Sequence, residues 1–208
     1  MSRKEILPFL YGSTSMKSSI YERKKYILSA LVLTVLFFLL FNYLSSRISV
    51  AFTIKGQECF PYRFWLIKKG VIPEKGEYVA FKNHRIDARA TWVKIISGED
   101  GDRIEVVRVT EEDMRRSQDL FKVYIEEIGK ELTIQGFVFL HNSDPLNSSQ
   151  AFEAFEKDTK GRDLPMIEEG RISKGKYFVS SPAARSYDSR YWGLVDESEI
   201  IGKAYPIF

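Results

Sequence analysis

Hydrophobic residues along the chain fall into two regimes. Residues 26–44 read YILSALVLTVLFFLLFNYL, 19 positions without a charge. Leu, Val and Phe occupy the whole circumference of the helix this run predicts. At 1.5 Å per residue such a helix covers about 28 Å, the hydrocarbon thickness of a bilayer. A cleaved leader has a shorter apolar stretch, about 7–15 residues, with a small-residue cleavage site close behind. Here the run is longer and an arm of 25 residues precedes it. The pattern predicts a basic arm over 1–25, one transmembrane anchor over 26–45 and a separate domain over 46–208.

Beyond the anchor the pattern changes to short runs of β-branched and aromatic residues. Residues 50–54, 63–68, 78–82, 92–97 and 103–109 read as strands, punctuated by Gly70, Pro73, Gly76, Gly98 and Gly101. Thr110 with Asp113 is a capping pair that predicts a short charged helix through Phe121. Residues 124–134 read as a hairpin turning at Gly129-Lys130. Ser149 is predicted to open a helical turn or two, because Phe152 and Phe155 would then share one face. A last strand over 176–180 precedes a polar loop and a terminal apolar stretch. The expected fold is mainly β, a single domain behind a helical anchor, with 110–157 as an insertion.

Charge adds an orientation. The 208 residues carry a formal +3. Arg3, Lys4, Lys17, Arg23, Lys24 and Lys25 stand against Glu5 and Glu22 in the arm, a net +4, which leaves −1 for the rest. A nucleic-acid binder keeps its basic surplus on the folded part, so nucleic acid is not an expected partner. Arg23, Lys24 and Lys25 abut one end of the span and only Arg47 lies near the other. The positive-inside rule then places the arm in the cytoplasm and the domain outside it, in the periplasm of a bacterium with two membranes. With one cysteine, Cys59, and two histidines, His84 and His141, neither a disulfide framework nor a metal cluster is expected, and no cofactor is implied. A lone thiol in an oxidising compartment calls for a reason.

Three segments carry candidate chemistry: Cys59-Phe60-Pro61; Lys94 within Trp92-Val93-Lys94-Ile95-Ile96; and Ser186-Tyr187-Asp188-Ser189-Arg190-Tyr191-Trp192-Gly193. Strand alternation leaves Lys94 two environments. If Val93 and Ile95 face inward, it points to solvent and does nothing special. If the face of Trp92 and Ile96 is the buried one, its ammonium is desolvated, which favours the neutral amine and a role as base. Cys59 is equally open between a small buried hydrophobe and a nucleophile assisted by a nearby amine. Asp188 and Arg190 read by themselves as a surface ion pair worth under about 1 kcal/mol.

Together the three segments resemble the type I signal peptidases, membrane-anchored serine–lysine proteases that remove leader sequences, and most closely their conjugative-transfer, TraF-type subfamily. Cys59-Phe60-Pro61 fills the place of the nucleophile, an apolar residue and proline. Lys94 stands eight residues before Asp102, behind Gly101, as the general-base lysine does. Ser186 to Gly193, followed by Gly202-Lys203-Ala204, matches the terminal box. Residues 76–81, 158–165 and 175–179 supply intermediate landmarks. The match departs in two places: cysteine replaces the nucleophilic serine, and Ser180-Ser181-Pro182-Ala183 lacks the acidic residue usual there.

The resemblance implies a catalytic set of Cys59, Lys94 and Asp188, with Asp188 orienting Lys94 or its loop. Phe60 and Pro61 are implied to bind substrate, and Ser186, Arg190 and Asp102 to support the site. Phe60, Phe64 and Trp65 are candidates for the membrane interface, with core packing as the other reading. The implied partners are the bilayer and an exported precursor, in this subfamily a pilin, cleaved or joined at its ends. The rival expectation is an inactive relative that binds an assembly component of a conjugation system without cutting it.

Overall fold

The computed structural model describes residues 12–53, 59–126, 129–144 and 148–207, with side chains from Arg23 onward. Ile54 and the first eleven residues of the basic arm lie outside the described residues. The chain divides into two units, 1–47 and 48–208.

The first unit is helix α1, Gly12–Arg47. Its Arg23–Arg47 stretch is long and apolar enough to cross a membrane, and none of its hydrophobic surface is buried by protein. Polar residues inside it bond back to their own helix: Ser29 Oγ donates to Lys25 O and Thr34 Oγ1 to Ala30 O, each at 2.8 Å. This gives both hydroxyls a partner within the apolar helix.

The second unit is mainly β. Its strands are β1 Ile48–Phe52, β2 Phe64–Lys69, β3 Tyr78–Asn83, β4 Asp87–Gly98, β5 Arg103–Arg108, β6 Lys122–Ile125, β7 Lys130–His141, β8 Gln150–Phe155, β9 Gly170–Arg171, β10 Lys176–Ser180, β11 Val195–Asp196 and β12 Ile200–Pro206. Among the described residues one antiparallel sheet runs β1-β2-β12-β3-β4-β10-β11, and a second runs β6-β7-β5-β9 with β8 on β7. Two short helices, α2 Glu111–Arg116 and α3 Ser189–Trp192, interrupt the strands.

Apolar clusters cover the central strands of the larger sheet. Val79, Phe81, Ile96, Val179 and Val195 pack on one side, and Phe60, Trp65, Ile67, Ala80 and Ala204 form a separate cluster. A third cluster, with Val138, Leu140, Ile172 and Phe178, joins β10 to the smaller sheet. The outer strands leave one face bare. Register aligns Val50 with Leu66 and Leu66 with Tyr205, while Phe52 lies opposite Phe64. All five side chains are exposed, Phe52 by 73%.

Three sequence expectations need correction. Residues 150–155 form strand β8, not a helical turn, because β7 offers them a complete ladder from Ile134↔Phe155 to Leu140↔Gln150. The charged helix stops at Arg116, and Gln118–Phe121 continues as a tighter 3-10 turn after Ser117. Finally, β4 begins five residues earlier than its apolar run, since Asn83↔Asp87 closes a hairpin with β3. The capping box of Thr110 and Asp113 forms as expected. The hairpin at Gly129-Lys130 also forms, with Gly129 at φ 61°. The 110–157 segment carries β6, β7 and β8 into the second sheet, which β5 and β9 complete.

Candidate active site

Lys94 lies on β4 directly opposite Val79 of β3. The face it shares with Trp92 and Ile96 is the covered one, so the lysine is 1% exposed and the solvent-facing reading is overturned. Burial of an ammonium demands polar partners, and Lys94 Nζ has two. It donates to Cys59 Sγ at 3.0 Å and to Ser186 Oγ at 2.6 Å. Ser186 Oγ lies 3.8 Å from the sulfur. Two groups, 35 and 92 positions from Lys94 in the chain, are thus gathered at one nitrogen. Cys59 is half-buried and packs against the cluster of Phe60 and Trp65.

The terminal box holds Ser186 in place from behind. Asp188 caps α3 by accepting from Arg190 N–H, and Arg190 Nε and Nη2 each donate to its carboxylate at 2.8 Å. The two residues are 0% and 2% exposed, which overturns the surface ion pair. Burial alone would make the guanidinium easier to deprotonate; the Asp188 carboxylate outweighs that and pushes Arg190 above its ordinary value. Nη2 also donates to Ser186 O, and Nη1 to Glu153 O and Ala184 O. Arg190 therefore ties the Ser186 loop to β8. Gly193 ends α3 at φ 91°, a conformation that side chains resist.

Other predicted residues take different places. Asp188 was grouped with the catalytic pair, but its carboxylate is engaged by Arg190; it positions Ser186 and reaches Lys94 only through it. Phe60 is a core side chain, edge-on to Trp65 at 5.7 Å and to Tyr78 at 5.2 Å. Pro61 is exposed. Trp65 is buried as well, and of the three aromatics considered for the interface only Phe64 is exposed. Asp102 accepts from Lys75 Nζ at 2.5 Å and from the N–H groups of Ser143 and Glu99. Burial pulls its carboxyl upward; those hydrogen bonds prevail and hold it below the usual carboxylate range. It secures the turn after β4. Among the described residues there is no cluster of His, Cys, Asp and Glu that could hold a metal.

Sequence reasoning undervalued Ser186, read as support yet in direct contact with Lys94. It missed the carbonyls of Glu153 and Ala184, because backbone acceptors carry no sequence signal. It also missed Ser189, whose Oγ accepts from Val179 N–H at 2.9 Å and docks α3 on β10.

The family described as signal peptidase, peptidase S26, matches residues 8–208. The conjugal transfer protein TraF of Agrobacterium fabrum is 39% identical over 51 residues, 24% of this chain and 29% of that relative. The match thus spans less than a third of the relative's length.

Proposed function

Because the chain belongs to the signal peptidase, peptidase S26, family, we propose that it is a membrane-anchored peptidase that cleaves an exported precursor by acyl transfer through Cys59 and Lys94. The observation that carries this reading is the buried Lys94 Nζ, 3.0 Å from the Cys59 sulfur. The partial similarity to a conjugal transfer protein supports a conjugative pilin precursor as the substrate.

In this mechanism Cys59 Sγ attacks the scissile carbonyl, and Lys94 takes the thiol proton. The backbone N–H of Cys59 stabilises the developing oxyanion. Lys94 then passes the proton to the departing amine, which leaves a thioester on Cys59. A water molecule, or the amino end of a second segment, resolves it with Lys94 again as base. Ser186 holds the lysine amine beside the sulfur through both steps. A thiol starts far closer to ionisation than a serine hydroxyl, so cysteine at position 59 is compatible with this lysine.

The positive charge at Arg23, Lys24 and Lys25 favours a cytoplasmic arm and a periplasmic domain. The exposed face of Val50, Phe52, Phe64, Leu66 and Tyr205 supports contact of the domain with the bilayer interface, where aromatic side chains are at home.

The test is to express the pilin precursor with wild type, Cys59→Ser, Cys59→Ala and Lys94→Ala and follow its size. Cys59→Ala and Lys94→Ala are expected to slow processing by at least about 10³-fold, the scale of losing one member of a nucleophile–base pair. Undiminished processing in both would leave the second reading, an inactive binding relative, which the replacement of serine by cysteine favours.

A further inference from the structure

The sequence contains one thiol, Cys59. A thiol that meets a hydroperoxide becomes a sulfenic acid, and unless something intercepts it the sulfur advances irreversibly to sulfinic acid. The usual interceptor is a second cysteine, and this chain has none to offer. A sulfenic acid at position 59 therefore has to be met by a different nucleophile already in contact with the sulfur.

Lys94 Nζ is such a nucleophile. It lies 3.0 Å from Cys59 Sγ, and Ser186 Oγ holds it from 2.6 Å. The lysine is 1% exposed, so bulk water does not surround the amine, and the packing of β4 keeps its stem in place. Ser186 Oγ is farther from the sulfur, at 3.8 Å, and a hydroxyl is a poorer nucleophile than an amine. Backbone nitrogens trap sulfenic acids as sulfenamides. Their lone pair is delocalised into the carbonyl; that of an aliphatic amine is not, so the lysine is better suited to the same reaction.

We propose that hydroperoxides convert the Cys59–Lys94 pair into a sulfenamide cross-link, a reversible modification that closes the site. In the first step Cys59 Sγ attacks a peroxide oxygen, and an S–O bond forms as the O–O bond breaks. Sulfur is oxidised by two electrons, the peroxide is reduced, and the departing oxygen leaves as water with the thiol proton. In the second step Lys94 Nζ attacks the sulfur. The N–S bond forms, the S–O bond breaks, and the hydroxyl departs as water with a proton from the amine. Two small thiols reverse the modification. The first attacks Cys59 Sγ, releases the amine and leaves a mixed disulfide; the second frees Cys59 and carries off the external disulfide. The cross-link occupies both groups of the dyad at once, and it spares the sulfur from irreversible oxidation. The loss of processing rests on the acyl-transfer reading above; the bond itself needs only the contact.

The experiment treats the full chain in detergent micelles with hydrogen peroxide and digests it with trypsin without reduction. Residues 56–63 and 90–103 are expected as one linked species, about 2 Da below the sum of the two reduced peptides, with cleavage after Lys94 lost. Dithiothreitol should separate them. Lys94→Met keeps the length of the side chain and removes its nitrogen. It should give no link and at least about 5-fold more of the Cys59 peptide made heavier by about 32 Da, the sulfinic acid. Processing of a precursor by wild type should fall at least about 10-fold after peroxide and return with dithiothreitol. Sulfinic acid forming equally in wild type and Lys94→Met overturns the proposal and leaves the dyad standing. So does a link to any residue other than Lys94, or a loss of processing that dithiothreitol does not restore. A Cys59–Lys94 link in a chain that processes nothing before peroxide supports the cross-link and overturns the peptidase reading instead.

Discussion

Asp188 and Arg190 illustrate how burial changes what a pair of residues is worth. On a surface the pair would contribute under about 1 kcal/mol, but here neither side chain reaches solvent. Removing one partner leaves the other charge buried without compensation, a loss of about 3–5 kcal/mol. Arg190→Ala and Asp188→Ala are each expected to lower unfolding stability by that amount in a urea titration. They should also release Ser186 and slow turnover while Cys59 and Lys94 remain. Asp102 carries a pH signature of its own. Its carboxyl is depressed in the folded state, so its stabilisation is complete above the unfolded-state value of about 3.9 and is lost as pH falls through the lower folded value. Asp102→Asn should lower stability at neutral pH and flatten the decline of the unfolding midpoint below about pH 4.

Elements explain why some residue types are required where no chemistry occurs. Gly202 sits where β12 shifts register against β3. A Cβ built there would lie 2.0 Å from Lys68 O and 2.8 Å from Lys68 C. Both obstacles are backbone within a paired strand, so they cannot swing aside. Gly202→Ala is expected to cost on the order of 3 kcal/mol, read as a drop in the thermal midpoint. The motif match at Gly202-Lys203-Ala204 therefore reports the close approach of β12 to β2. Strand β8 teaches the opposite lesson about local pattern. Phe152 and Phe155 have helical spacing, yet pairing to β7 across Ile134–Leu140 outweighs any local preference, since propensity is a weak prior once a sheet edge is on offer.

At the scale of the whole molecule, the proposal of a periplasmic domain and a bilayer-facing sheet edge yields two measurements. Protease added to spheroplasts should digest the 48–208 unit and spare it when added to inside-out vesicles; the reverse pattern would invert the assigned topology. Replacing Phe52 and Phe64 with serine should leave the fold intact, because both are exposed. If the face meets lipid, processing of a membrane-bound precursor should fall several-fold while cleavage of a soluble peptide is unchanged.

Much of this organisation was legible in the residues themselves. An uncharged, predominantly apolar run of 19 positions determines a span of membrane length whatever follows it. Short β-branched runs between glycines determine a β-rich domain, since those features are local and repeat along the chain. Motif spacing also put Cys59, Lys94 and the terminal box in one family. What spacing could not determine was which face of β4 is covered, because alternation describes two faces and does not say which meets a core. Only the packing of β3, β4 and β10 buries Lys94, sets its amine against Cys59 and Ser186, and removes Asp188 and Arg190 from water. Those contacts join positions far apart in the chain, and their partners include backbone carbonyls that look alike at every residue. The sequence by itself therefore fixes the kinds of element and the candidate groups, while the distances that make those groups a site arise from long-range packing alone.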